Sequence, residues 1–306
     1  MNKLIEKDHS NEDESFSSNK KQILSDKYII IKKLGSGSFG EVYLAQHKNG
    51  GFVAAKFEER KKIPRIINEY NIYKYLHKHK HIHGIPKVYD FIQTCDYNIM
   101  FMQLLGPSLE DLVNKYDKQF KFSSVFKLAD QLISVIQNMH DCKFIHRDIK
   151  PNNFLIGREN PDQVYIMDFG LSKKYIMNNQ HIKFRNNRSL IGTARYASIN
   201  MHLGIEPSRR DDLESIGYML IYFIKGSLPW QGLKKKRGVN NLEKIGEIKM
   251  CTNLNNLCDE LPECFKNYLL YCRNLKFDED PDYKYLKHIF KVDAHKLNIH
   301  YKYEWE

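Results

Sequence analysis

The sequence predicts an α+β fold, with a small antiparallel sheet near the start of the chain and a larger, mostly helical part after it. Three observations carry that expectation. β-Branched and alternating segments separated by glycine turns crowd residues 28 to 57, an amphipathic helix pattern begins at Ser123, and strand signals are few from there to about residue 290.

Taken in order, residues 1–24 are mostly polar. The run Glu12-Asp13-Glu14-Ser15-Phe16-Ser17-Ser18 offers almost nothing to bury, which reads as a flexible tail. Tyr28-Ile29-Ile30-Ile31 is a β-branched strand, Glu41 to Gln46 alternates as a second, and Phe52 to Phe57 follows the Asn49-Gly50-Gly51 turn as a third. Pro64 can open a helix through Leu76, because a first-turn N–H has no helical acceptor to lose. The run His77-Lys78-His79-Lys80-His81-Ile82-His83 has the composition of a metal tract. Its lysines repel cations and no carboxylate joins it, so a solvated loop is expected. From Ser123, apolar residues at Val125, Leu128, Ala129, Leu132, Ile133, Ile136 and Met139 trace one face of a helix. No internal repeat is evident.

Composition bounds the partners. With 306 residues, 42% hydrophobic and 28% charged, the chain can bury a sizeable core. The longest apolar run, Gly217 to Ile224, is less than half of a bilayer span, and no apolar block follows the charged start. A protein without membrane insertion is expected, intracellular, in cytoplasm and/or nucleus. Six scattered cysteines without a CxxC pair read as reduced thiols rather than a zinc site. The net charge of +11 suggests an anionic partner without choosing among nucleic acid, a membrane surface and an acidic protein.

Four short stretches carry chemistry. Gly35-Ser36-Gly37-Ser38-Phe39-Gly40 runs into Glu41-Val42, a strand, which suits a phosphate-covering hairpin better than a dinucleotide fingerprint. Alone it also fits an ordinary tight turn. Val53-Ala54-Ala55-Lys56 places a lysine on a strand, with Glu69 on the next helix as its partner if it points inward; an exposed lysine fits as well. Phe144-Ile145-His146-Arg147-Asp148-Ile149-Lys150-Pro151-Asn152-Asn153 is more specific. Asp148 can accept a hydrogen bond from a substrate hydroxyl, Lys150 can steady a transferring phosphoryl, and Asn153 can ligate a metal through its amide oxygen. Fifteen residues on, Asp168-Phe169-Gly170 offers a carboxylate for magnesium.

Together these stretches resemble the eukaryotic protein kinase fold, with its small β N-lobe and helical C-lobe, and within it the casein kinase 1 family. The marks of that family are the runs Met102 to Leu112, Asp168 to Tyr175, Gly192 to Asn200, Ser208 to Ser215 and Gly226 to Leu233, within a likeness over about 26–292. The resemblance implies an N-lobe at 25–106, a C-lobe at 107–292 and a short C-terminal extension at 293–306. It implies an ATP-dependent serine/threonine protein kinase, using Mg2+, with Asp148, Lys150 and Asn153 catalytic and with Asn153 and Asp168 on the metal. The implied ATP pocket is Leu34, Gly35, Ser36, Gly37, Ser38, Phe39, Gly40, Val42, Ala54, Lys56, Glu69, Met102, Gln103, Leu105 and Leu155. Met102 would be the gatekeeper, and the backbone of Gln103 and Leu105 would pair with the adenine edge. Tyr73, Phe169 and His146 would stack as an internal spine anchored by Asp212. Lys150, two residues after Asp148, resembles serine/threonine rather than tyrosine kinases.

Most kinases carry Ala-Pro-Glu where this chain has Ser198-Ile199-Asn200, so their structural ion pair from that glutamate cannot form. In the family, the arginine at Arg195 lines an anion pocket, with Arg188 and Lys173 as neighbours. The implied substrates are proteins with acidic or phosphorylated residues upstream of the target Ser or Thr. Arg195 bracing its own loop is the alternative. A further basic residue expected in that pocket is replaced by Asn241; Lys234-Lys235-Lys236-Arg237 either substitutes for it by a loop shift or is a solvated surface or nuclear-import patch. A pseudokinase scaffold and a nucleic-acid-binding module are the competing classes, the second disfavoured by the lack of aromatics among the basic residues. A monomer is expected, active without phosphorylation of its activation segment, with autophosphorylation at Ser15 and Ser18.

Overall fold

The early strands form where β-branched residues and glycines place them. The structure, a computed structural model, describes residues 22–23, 26–37, 40–60, 64–78, 83–233 and 240–306. β1 (Gln22–Ile23), β2 (Tyr28–Gly37), β3 (Gly40–His47), β4 (Phe52–Glu59), β5 (Val88–Gln93) and β6 (Tyr97–Gln103) form one antiparallel sheet in the order β1-β2-β3-β4-β6-β5. Helix α1 (Arg65–Lys78) follows β4 and lies against the sheet, burying Ile66, Glu69, Ile72, Tyr73 and Leu76. A separate small core on the sheet stacks Tyr28 on Phe101, with ring centroids 3.8 Å apart.

Beyond the linker 104–108 the chain is mostly helical. α2 (Leu109–Lys115) begins with a capping box between Ser108 and Asp111, which satisfies two of the orphan donors at a helix start. α3 (Phe122–Asp141) buries all seven residues of the predicted stripe. Three short hairpin or ladder pairs follow, made by β7 (Phe144–Ile145), β8 (Phe154–Ile156), β9 (Val164–Ile166), β10 (Lys173–Lys174), β11 (Ile176–Met177) and β12 (Gln180–His181). α4 (Ile199–His202), α5 (Arg209–Lys225), α6 (Asn241–Cys251), α7 (Leu254–Leu257), α8 (Glu263–Asn274) and α9 (Tyr283–Lys296) complete the helical part. α5 is buried along almost its whole length, which explains why the apolar run Gly217 to Ile224 needs no membrane. No helix among the described residues is long and apolar enough to cross one.

Several expectations need correction. Gln22 and Ile23, placed in the tail, pair with Ile30 and Ile29 as an added strand. His77 and Lys78, placed in a loop, close the last turn of α1, where the Lys78 charge suits the helix C-terminus. β5 and β6 carry no clear alternation and were not expected. The boundary near 292 falls inside α9, and the short extension beyond it packs against the helical part. Tyr303 is 1% exposed and takes a 2.7 Å hydrogen bond from Gln131 of α3, while Trp305 stacks on it. Residues 1–21 with Ser15 and Ser18, the histidines of 79–82 and Lys234-Lys235-Lys236-Arg237 lie outside the described residues.

The six cysteines are free, with Cys95 and Cys251 exposed and the other four buried.

Candidate active site

Strand register assembles the upper half of the site. β2 and β3 close on the pair Gly37 and Gly40, and Gly35 faces Val42. Gly40 has a φ of 132°, and a Cβ there would lie 1.9 Å from the Phe57 carbonyl, so no other residue fits without moving β4. Leu34, Gly35, Ser36 and Gly37 are exposed along this hairpin; Ser38 and Phe39, expected at its tip, lie outside the described residues. β3 sets Val42 beside Lys56, and β6 sets Met102 beside Ala54. Met102 and Ala54 are buried, whereas Val42 and Leu155 are half-buried.

The linker is fixed at both ends. The Gln103 N–H donates to the Lys87 carbonyl at 2.8 Å, Gly106 N–H to the Ile156 carbonyl at 2.9 Å, and Ile156 N–H to the Pro107 carbonyl at 3.1 Å. Leu105 therefore sits in an extended stretch tied to β8, the strand that carries Leu155.

Lys56 does point inward. Its Nζ lies 3.0 and 2.7 Å from the two carboxylate oxygens of Glu69, which is 2% exposed, and 3.3 Å from Asp168 Oδ1. Burial acts against the ammonium, but Glu69 and Asp168 outweigh it and raise its pKa, so Lys56 stays charged. Burial likewise pushes the Asp168 carboxyl up; Lys56, His146 and Lys150 prevail and hold it below the usual carboxylate range.

The lower half rests on Asp212 at the start of α5. Its Oδ2 accepts the His146 N–H at 2.7 Å and lies 2.9 Å from His140 Nε2, and its Oδ1 accepts the Arg147 N–H at 2.8 Å. That anchor holds Arg147 at a φ of 69°, a conformation unfavourable for a non-glycine residue, and aims the next residue, Asp148, into the site. Asp148 is buried and well partnered. Lys150 Nζ lies 2.7 Å from its Oδ2, the Thr193 hydroxyl donates to its Oδ1 at 2.8 Å, and Asn153 Nδ2 donates to its backbone carbonyl at 2.8 Å. The expected spine is assembled as well: Phe169 lies 4.6 Å from Tyr73 and 5.7 Å from His146, centroid to centroid.

Asn153 and Asp168 form a donor set that suits magnesium. The Met167 N–H donates to the Asn153 carbonyl at 2.9 Å, which ties the backbone beside Asp168 to that of Asn153, and the amide nitrogen of Asn153 is spent on Asp148, which leaves its oxygen as the ligand. Asp168 adopts a left-handed backbone, with a φ of 68°, and keeps its carboxylate ionised. No group of three or more His, Cys, Asp or Glu among the described residues is placed to hold a metal. One carboxylate and one amide leave most of an octahedral shell to phosphate oxygens and water, as magnesium prefers. Bound there, the ion would neutralise phosphate charge beside Lys56.

The three residues expected around an anion have different partners. Lys173 Nζ lies 2.7 Å and Arg188 Nε 3.3 Å from the two oxygens of Glu206, which is 2% exposed. Arg195 keeps different company: its guanidinium lies 5.7 and 5.9 Å from the rings of Tyr196 and Tyr222, close enough to Glu110 of α2 to feel its charge, and its carbonyl accepts the Trp230 indole N–H at 2.7 Å. Asn241 is the first residue of α6. Glu206 was not foreseen, because nothing near it in sequence marks it as the meeting point of Lys173 and Arg188.

Ser198-Ile199-Asn200 stands in for the missing ion pair, through partners on α5 that the sequence did not point to. Ser198 caps α4, accepting the Met201 N–H at 3.1 Å and donating to Asp211 Oδ1 at 2.6 Å. The acid comes instead from α5, where Glu214 Oε1 accepts the Ile199 N–H at 3.2 Å and lies 3.6 Å from Arg273 Nε. Burial pushes Asp211 up to about 6, against the hydrogen bonds from Ser198 and Ser208.

A glycine hairpin over a strand lysine, a lysine–glutamate pair to the neighbouring helix, and two aspartates flanking an asparagine form the constellation of phosphoryl transfer from a nucleotide. Residues 28–290 match the family model of the protein kinase domain, and the chain belongs to that family, with its β N-lobe and helical C-lobe.

Proposed function

We propose that the chain is an active serine/threonine protein kinase of the casein kinase 1 type, which transfers the γ-phosphoryl group of ATP to proteins with acidic or phosphorylated residues upstream of the target. The observation that carries the proposal of activity is Asp148 with its three partners. It has one oxygen turned to Thr193 and the other to Lys150, next to the pair Asn153 and Asp168. In this reading Asp148 orients the incoming hydroxyl, while Lys150 and Lys56 steady charge on the transferring group. A pseudokinase would need none of this kept in register.

The casein kinase 1 type is supported by the quoted motifs and by the way Ser198, Glu214 and Arg273 serve where most kinases use a glutamate. Preference for anionic substrates is supported by two basic places near the site, Lys173 with Arg188 and Arg195 alone. A guanidinium binds phosphate in a bidentate fork, so each arginine can exchange its present acidic neighbour for a substrate phosphate. The lobes divide at the linker 104–108, between the last sheet strand and α2.

The test is ATP-dependent labelling of casein, which wild-type protein performs and Asp148→Asn does not, with the variant still folded. Equal labelling by both would reject the assignment. Primed and unprimed peptides compared with Arg195→Ala test the substrate preference: the variant loses the primed peptide selectively, and equal losses on both would reject an anion pocket there.

A further inference from the structure

α6 carries a lysine for which phosphoryl transfer has no use. Lys249 is 0% exposed, and its Nζ donates to the carbonyls of Ala194, at 2.8 Å, and of Ala197. The rings of Tyr218 and Trp230 lie 4.9 and 5.0 Å from the same nitrogen. His202 Nε2 stands 3.1 Å from the Ala194 carbonyl, and the Trp230 indole takes the Arg195 carbonyl between them. Three of the four carbonyls from Ala194 to Ala197 are thus held by side chains of α4, of α6 and of the turn at 228–231. A Cβ on Gly246 would lie 3.0 to 3.2 Å from the His202 ring, so this glycine lets α6 come close enough to α4 for Lys249 to reach the carbonyls.

An interior ammonium is costly, and an apolar side chain of the same length would fill the space at lower cost. Burial indeed presses Lys249 down to about 7, with Glu214 opposing that shift and Arg273 adding to it. What the lysine supplies and an apolar residue cannot is a set of directed donors to a backbone that has no partner in a helix or sheet.

The two residues just before that backbone, Gly192 and Thr193, lie against Asp148. Thr193 donates to its carboxylate, and a Cβ on Gly192 would be 3.1 Å from its Oδ1 and 2.4 Å from the Arg147 carbonyl. A peptide that presents a hydroxyl to Asp148 comes up beside Thr193, and Ala194–Ala197 continue the chain from there. We propose that Lys249 is a positioning residue for the protein substrate: it holds the Ala194–Ala197 backbone in the shape against which the acceptor peptide lies, and does so without contacting ATP. The proposal rests on the protein kinase assignment and is independent of any preference for primed substrates.

Lys249→Met keeps the length and removes the donors. Steady-state kinetics with casein and ATP should show KM for casein raised by about tenfold, the scale of one or two lost hydrogen bonds, and KM for ATP within about twofold of wild type. Trp230→Phe, which frees only the Arg195 carbonyl and keeps an aromatic ring, should move KM for casein the same way by a smaller factor. A folded Lys249→Met protein whose two KM values change together, or not at all, overturns the proposal. If Lys249→Met does not fold, Trp230→Phe decides, and an unchanged KM for casein overturns it. Wild-type protein that fails to label casein is a separate failure, of the substrate reading, visible before any variant is compared.

Discussion

The hydroxyl of Thr193 donates to Oδ1 of Asp148 at 2.8 Å, so the loop that faces the substrate and the aspartate that orients its hydroxyl are joined by one hydrogen bond. A hydrogen bond to a charged group is worth about 1.5–3 kcal/mol. Thr193→Ala should then lower kcat by roughly 10- to 100-fold, with Thr193→Ser close to wild type. Rapid-quench or steady-state assays at saturating ATP read this directly, and an unaffected Thr193→Ala enzyme would show that Asp148 is oriented by Lys150 and Asn153 alone.

Lys56 and Glu69 separate stability from catalysis. Lys56→Met leaves Glu69 buried without its cation and should cost about 3–5 kcal/mol of unfolding free energy, with labelling of substrate abolished. Adding Glu69→Leu should restore most of the stability and none of the activity. Denaturant titrations of the single and double variants, run beside a kinase assay, make the comparison.

Lys249 gives the fold a pH signature. Its pKa falls from 10.5 in the unfolded chain to about 7 in the fold, beside Glu214, Arg273, His202 and Tyr218, so the unfolded state binds more protons between those values. The penalty of charging the buried amine is fully present below pH 7 and is relieved as pH rises toward 10.5. The stability difference between wild type and Lys249→Met should therefore shift in favour of wild type across that window. A difference that stays flat with pH would mean that the amine titrates normally.

Tyr303 tests whether residues 299–306 belong to the core. Besides Gln131, its neighbourhood includes Lys127, whose Nζ lies 4.2 Å from the ring centroid, and the stacked Trp305 at 4.3 Å. Tyr303→Ala should cost about 3–5 kcal/mol, the range for deleting a buried aromatic ring. Kinetic constants measured well below the melting transition should stay near wild type, because nothing in this contact reaches Asp148.

The site was legible in the sequence where its chemistry sits in short stretches. Gly35 to Gly40, Lys56, Asp148 to Asn153 and Asp168 each lie in a run whose residue types and spacing imply their use, and strand register then brings them together. α3 was legible because its apolar period is long and clean. β5 and β6 were not: Asn98 is buried within a strand and Asp90 sits at a bulge, so neither strand alternates. Glu206 and Lys249 could not be read either, since their partners lie 18 to 33 and 52 to 55 residues away and no periodicity links them. Buried charges that serve a loop leave no local pattern, and Glu206, the common partner of Lys173 and Arg188, is one of them.

The rings of Tyr73, Phe169 and His146, tilted or edge-on to one another, make a second bridge between the lobes, beside the covalent linker at 104–108. A third hold comes from the turn after α1, where the His83 carbonyl accepts from Asn138 of α3 and the Gly84 carbonyl from Ile166 of β9. Holds spread across the interface act as a clamp: parting the rings would open a void in the interior, so widening the cleft at this end carries a packing cost.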